Sequence, residues 1–352
     1  MSNGNIDVSQ LMAPPVTDVT QLEKTMDTIK SRMEVMIMKT QAEVCHALEE
    51  QDGQKKFLVE KWSRAEKQND VIIGDAVKGI GQGGGGVTCV MQDSKVFEKA
   101  GVNVSVVSGP LPEGAAQQMR SRICSRGKKL EEGKLMFFAA GISSVIHPRN
   151  PHVPTVHFNY RYFEVEEASG KKHWWFGGGT DLTPYILDRE DAVHFHKEQK
   201  AACDKHNPDY YKRFKAWCDE YFYIKHRGEC RGVGGLFFDD LDTPSQDKLF
   251  DFASSCAAAI VPSYIPIVKK HKDDKYTDAD RNWQLLRRGR YAEFNLIYDR
   301  GTKFGLMTPN ARIESILMSL PLYAKWEYGH VPEEGSKEAE LMAVLKKPVE
   351  WL

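Results

Sequence analysis

Several things are scarce in this 352-residue chain. No two of its seven cysteines, at 45, 89, 124, 203, 218, 230 and 256, are spaced as Cys-x-x-Cys, which excludes a zinc ribbon and the local thiolate cluster of an iron–sulfur centre. The odd number and irregular spacing speak against a disulfide framework and for buried, reduced thiols. Neither charge sign is in excess: 48 Lys and Arg against 49 Asp and Glu give a formal net charge of -1. There is thus no global electrostatic footprint for nucleic acid or an anionic membrane. Apolar runs such as Leu135 to Ile142 are far too short to span a bilayer. The opening stretch has no basic residue before Lys24 and no apolar core, so neither a secretory signal nor an Arg-rich presequence is expected, and the chain is read as cytoplasmic. The glycine run from Gly79 to Gly86 lacks a following Gly-Lys-Ser/Thr, so a flexible connector is the better account than a phosphate loop. No internal repeat is present.

What is present divides into blocks. Residues 1–17 read as a disordered leader and 18–352 as a single domain. From Val19 to Asp70 the apolar spacing is helical, as at Ile29, Met33, Met36 and Val44. Strands are expected near 87–92, 102–107, 135–146, 153–166 and 172–181, and helices near 190–206, 208–225 and 245–259. A further strand pair, 291–299 and 303–308, is expected around the turn-forming Asp299-Arg300-Gly301, with helices near 311–318 and 333–345. Strands in one block with helices before and after it argue for an α+β fold with a mostly antiparallel sheet.

The segment from Val153 to Val165 is the most informative. Period two places Thr155, His157, Asn159 and Arg161 on one face and Val156, Phe158, Tyr160 and Tyr162 on the other. The polar row is either a solvated outer face or a functional one. His-x-Asn-x-Arg is an odd choice for mere solubility. Ala168-Ser-Gly170 reads as a hairpin turn, after which Lys171 to Asp181 returns. A pairing in which residue numbers sum to about 338 sets His157 opposite Asp181, Asn159 opposite Gly179 and Arg161 opposite Gly177. His157 and Asp181 would then form an acid–base pair, and Arg161 offers a fork for a carboxylate. Two glycines facing the row leave room either for a flat ligand or for a bulge or bend.

Four strings carry a resemblance. They are Ile142 to His157 (ISSVIHPRNPHVPTVH), Trp175 to Pro184 (WFGGGTDLTP), Lys215 to Asp239 (KAWCDEYFYIKHRGECRGVGGLFFD) and Arg287 to Tyr291 (RRGRY). They resemble the oxygen-dependent coproporphyrinogen III oxidases, over roughly residues 75–352. The resemblance implies a homodimer built on a large, flat, mostly antiparallel sheet flanked on both faces by helices. It also implies oxidative decarboxylation of the A- and B-ring propionates of coproporphyrinogen III, with molecular oxygen as co-substrate and no cofactor. By the match, Ser143, Asn159, Tyr160, Arg161, Asn310, Ala311 and Arg312 fall at substrate-contacting positions. His157 falls at a proton donor, Asp181 at a pyrrole-binding acid–base carboxylate, and Tyr291 to Ser315 where the family dimerises. Cys230 stands where members often carry Arg, which weakens the case for a basic contact there and leaves Arg231 in place. His147, His157, His196 and His226 match positions described as metal-binding in bacterial members, whereas eukaryotic-type members are regarded as metal-free. A metal-dependent oxygenase and a porphyrin carrier without turnover are the rival readings.

Overall fold

The computed structural model describes residues 6–64, 83–111, 113–307 and 311–352. Seven strands form one antiparallel sheet in the order β1 (Leu58–Ser63), β2 (Gly85–Gln92), β3 (Phe97–Pro110), β4 (Met136–Pro148), β5 (Thr155–Glu166), β6 (Lys172–Thr183) and β9 (Gly235–Leu241). The short β7 (Tyr223–Ile224) and β8 (Glu229–Cys230) pair with each other. The helices are α1 (Val19–Lys24), α2 (Ile29–Asp52), α3 (Glu113–Ser125), α4 (Arg189–Asp204), α5 (Asp209–Tyr221) and α6 (Gln246–Ala258), then α7 (Ile260–His271), α8 (Asp278–Ile297), α9 (Arg300–Met307), α10 (Ile313–Leu317) and α11 (Lys337–Lys346). Strands and helices are thus segregated as α+β.

The aromatic face of β5 seals the core. Phe158, Tyr160 and Tyr162 have no exposed surface and share one apolar cluster with α2, α4, α6 and α7. The helices end where local chemistry dictates. Thr28 caps α2 by accepting from the Ser31 N–H, and Gly53 closes it with a left-handed φ of 70°. In α7, Pro266 has no N–H for the Pro262 carbonyl, and His194 Nε2 meets that oxygen at 3.0 Å instead. The continuous pair α6–α7, Gln246–His271, is long and apolar enough to qualify as a membrane span, a length the short apolar runs did not suggest. Most of its apolar side chains pack in the core.

The opposite face is covered only in places. Segment α10 straps across β2 and β3: Asn103 Nδ2 donates to the Ser315 carbonyl at 2.7 Å and Lys99 Nζ to the Leu317 carbonyl at 3.2 Å. Helix α3 packs over Val165 and Trp175, and Phe294 of α8 over Phe237 of β9.

Several expectations need correction. Residues 6–17 are not a free leader, because Leu11, Met12, Ala13 and Val16 lie on the core. The helix expected through Asp70 stops at Gly53, and Leu58–Ser63 is one edge strand of the sheet; residues 65–82, with the first half of the glycine run, lie outside the described residues. Residues 291–299 and 303–308 are not a hairpin but fall largely in α8 and α9, with Asp299 capping α9 by accepting from the Thr302 N–H at 2.7 Å. Strand β9 and helices α3 and α7 were not expected. Six of the seven thiols are buried and none is in a disulfide; only Cys124 is exposed.

Gly101 lies directly under the strap: a Cβ there would sit 2.2 Å from Met318 Sδ, at the flexible end of that side chain. Replacing Gly101 with Leu should overpack this contact and cost about 1–3 kcal/mol. Hydrogen exchange should then rise selectively over residues 311–320, and unchanged protection there would refute the assignment.

Candidate active site

The hairpin register holds as expected: His157 lies opposite Asp181, Asn159 opposite Gly179 and Arg161 opposite Gly177. Pairing extends the polar row across the sheet through Gly141 and Ser143 in β4, Asn103 and Ser105 in β3, Gly86 and Thr88 in β2, and Glu60 and Trp62 in β1. Apart from Glu60 and Trp62 at the far edge, small and short polar side chains therefore pave this face, most of it half-buried.

At one end, Asp181 is 2% exposed. Its Oδ1 accepts from His157 Nδ1 at 2.8 Å and from Arg231 Nη2 at 2.9 Å, and its Oδ2 from Arg231 Nε at 3.1 Å. Burial pushes the Asp181 carboxyl up, but the Arg231 charge and the His157 hydrogen bond outweigh it and hold it below the usual carboxylate range. The ionised carboxylate therefore takes the Nδ1–H of His157 and leaves Nε2 for the cleft. Arg231 is itself enclosed, with its guanidinium carbon 3.9 Å from the Phe222 ring centre, 4.6 Å from Tyr291 and 4.9 Å from Phe294, while Nη1 donates to Asn295 Oδ1 at 2.9 Å. Tyr291, Phe294 and Asn295 converge because they are spaced i, i+3, i+4 on α8.

At the other end, Arg161 Nη1 donates to Asn159 Oδ1 at 2.7 Å and Nη2 lies 2.9 Å from Asp239 Oδ1. The facing glycines make room for protein as much as for a ligand. A Cβ at Gly177 would lie 2.6 Å from Asp239 Oδ1 and 2.7 Å from Arg161 Nη2, and one at Gly179 would lie 2.3 Å from the Leu236 carbonyl.

The remaining expected residues are dispersed. Ser143 pairs with Asn159 on the cleft floor. The Tyr160 side chain points the other way, into the core, with its hydroxyl bonded to that of Thr180. Ala311 is half-buried beside the strap, and Asn310 lies outside the described residues. Arg312 reaches the far edge, with Nη2 2.5 Å from Glu60 Oε2 and its guanidinium over Trp62. Cys230 is a buried thiol that donates to the Asp219 carbonyl at 3.4 Å, its pKa pushed up to about 12 chiefly by burial. Arg231, Asp239, Arg122 and Arg300 enter the site without having been expected as ligands. The string Lys215 to Asp239 contains Arg231 and Asp239, and Arg300 was read only as part of a turn; nothing in the sequence pointed to Arg122.

A model of the coproporphyrinogen III oxidase family matches residues 32–351. The chain belongs to the coproporphyrinogen III oxidase family. It is 61% identical over 344 residues to the rat mitochondrial oxygen-dependent coproporphyrinogen-III oxidase, covering 98% of this chain and 74% of that protein. Identity to the oxygen-dependent enzyme of Drosophila melanogaster is 60%, over 99% of this chain and 84% of the relative. The chloroplastic enzyme of soybean is 52% identical over 92% of this chain and 80% of its own length. All four family-like strings lie within the matched range.

In this coproporphyrinogen oxidase fold, Arg231→Met would leave Asp181 buried, charged and half-unpaired, at a cost of about 3–5 kcal/mol at neutral pH. Adding Asp181→Asn should recover much of that. Because the folded carboxyl is held below its unfolded value of about 4, its stabilisation is present above that pH and is lost as pH falls through the folded value. The Arg231→Met penalty in urea unfolding should therefore shrink in acid; a pH-independent penalty would count against the ion pair.

Proposed function

We propose that this chain converts two propionates of coproporphyrinogen III into vinyl groups on the open face of the sheet, giving protoporphyrinogen IX with dioxygen as the oxidant. One observation carries the reading. A proton-transfer pair, His157–Asp181, and a carboxylate fork, Arg161, share one face of β5 and β6 over a floor of small residues. Four residues of strand put His157 and Arg161 about 13 Å apart, a separation suited to groups on the rim of a tetrapyrrole.

Each vinyl forms when a propionate side chain loses carbon dioxide and one hydrogen of the carbon next to the ring. The two electrons released pass to dioxygen, and with one proton taken up the oxygen leaves as hydrogen peroxide. His157 enters the step as the imidazolium and gives that proton from Nε2, while Asp181 keeps the ring oriented through the retained Nδ1–H. This gives Asp181 a role through His157, in addition to the pyrrole contact that the resemblance implies. Arg161 and Arg312 hold propionates. Fixing the substrate on one face provides proximity and shields the electron-rich ring from stray oxidation.

No bound metal or redox group is needed for this route. The histidines expected as possible ligands are otherwise engaged. His147 meets Thr155 Oγ1 at 3.1 Å and the Ser319 carbonyl at 3.0 Å, and His196 meets the Val233 carbonyl at 3.0 Å and the Tyr211 hydroxyl at 2.9 Å. His226 meets Tyr298 and Glu293, each at 2.7 Å. Burial pushes His196 down to about 4, so it is a neutral packing imidazole. Cytoplasmic placement, the expectation from the opening stretch and the short apolar runs, remains a proposal beside relatives named mitochondrial and chloroplastic.

Chelator-treated protein given coproporphyrinogen III should form vinyl product with coupled oxygen uptake, and His157→Ala should lower kcat by about 10²–10⁴ while still binding porphyrin. Turnover that appears only after a divalent metal is added would favour the oxygenase reading. Binding with no oxygen uptake under either condition would favour the carrier.

A homodimer through the segment Tyr291–Ser315 is part of the same proposal. Leu296, Ile297, Met307 and Ile313 are exposed there at 40–84%, a concentration of large apolar side chains that a second copy would cover. Leu296→Asp with Met307→Asp should shift the mass seen by light scattering from dimer to monomer; an unshifted dimer would place the interface elsewhere.

A further inference from the structure

Strand β9 carries one residue too many for a regular ladder. Phe176 pairs with Leu241 and Gly178 with Phe238, so an interval of two residues on β6 faces three on β9. The excess is taken up at Asp240, whose φ of 54° is left-handed, a conformation Asp tolerates better than most residues. Bulges of this kind re-aim side chains. Asp239 and Asp240 would face opposite sides of a regular strand. Here both reach Arg122 of α3, whose Nη2 lies 2.9 Å from Asp239 Oδ2 and 2.7 Å from Asp240 Oδ1.

Asp239 gathers three guanidiniums from three separate elements. Its Oδ1 faces Arg161 Nη2 at 2.9 Å, while its Oδ2 faces Arg122 Nη2 at 2.9 Å and Arg300 Nη2 at 3.4 Å. The carboxylate is 4% exposed, whereas Arg122 and Arg161 are each 36% and Arg300 57% exposed. The anion therefore lies beneath and the cations lie above it, toward solvent. Arg300 is steadied by Tyr221, with its guanidinium 5.1 Å from the ring centre. Local carboxylates do not balance the charge. Arg122, Arg126, Lys128, Arg161 and Arg300 are five cations against Asp239, Asp240 and Asp242, leaving two positive charges, or one if Asp299 at the α9 cap is counted. Three guanidiniums around one carboxylate repel one another, and a second carboxylate on the cleft side would relieve that repulsion.

We propose that Asp239 is a positioning residue that gathers Arg122, Arg161 and Arg300 into a second carboxylate subsite. Arg122 there binds a substrate propionate other than the one reacting at His157. The inference rests on the proposed reaction, and it adds a residue from α3, an element remote in sequence from the hairpin. His157 and Arg161 lie about 13 Å apart along the β5 backbone, and the Arg161 guanidinium is held at Asp239. The propionate held at Asp239 is accordingly an anchor that sets which ring meets His157.

The test titrates coproporphyrin III, the unreactive oxidised ring, and its tetramethyl ester into the full chain by fluorescence quenching. Arg122→Gln should weaken coproporphyrin III binding about tenfold, or 1.4 kcal/mol, and Arg122→Lys should recover part of it. The ester, already weak, should bind all variants alike. The KM for coproporphyrinogen III should rise by more than kcat falls. Asp239→Asn should show the same pattern by loosening all three arginines; if it does not fold, the Arg122 pair decides alone. A folded Arg122→Gln with wild-type affinity and KM would overturn the subsite and leave the reaction standing. Equal losses for acid and ester would also overturn it, as a general loss of structure. A wild-type chain that neither binds the acid nor takes up oxygen would overturn the reaction as well.

Discussion

Phe158, Tyr160 and Tyr162 are locked under the helical layer with no exposed surface, and the pleat then leaves their neighbours no choice. His157, Asn159 and Arg161 must face the other way, and in-register pairing aligns them with Asp181, Gly179 and Gly177. Sealing one face thus defines the other. A slip of one residue would exchange the two faces entirely, so the aromatic packing maintains the register of the chemistry as well as the core.

Charge is placed on that open face at two depths. Arg231 and Asp181 are both buried and enclosed by rings of Phe222, Tyr291 and Phe294. Such a pair is a poor source of net stability, and its value lies in fixing the tautomer and direction of His157. Around Asp239 the arrangement is inverted, with a buried anion beneath half-exposed cations. The first arrangement orients a proton, and the second presents positive charge to solvent.

How much of this the sequence disclosed depends on whether a period carried it. The β5–β6 hairpin was legible because two residues per repeat and the Ala168-Ser-Gly170 turn left one sensible register. The expectation for residues 291–299 failed because Tyr291, Phe294 and Ile297 favour strands by residue type. The deciding feature was their spacing, which brings Tyr291, Phe294 and Asn295 onto one side of a helix around Arg231. Asp239 was beyond reach for a different reason. Its direction comes from an extra residue in β9, and an insertion of that kind leaves no trace in an alternation pattern. Gly177 was noticed, but its purpose depends on Asp239, so it could be read only as room for something.

The continuous apolar pair α6–α7 has a consequence for synthesis. All the strands of the sheet and α2, α4 and α5, which help form the surface that Gln246–His271 covers, precede it in the chain. As the polypeptide leaves the ribosome from its N-terminus, this segment, apolar enough to resemble a membrane span, emerges after its cradle has been made. The order of elements along the gene shortens the time during which the stickiest part of the nascent chain is without a partner.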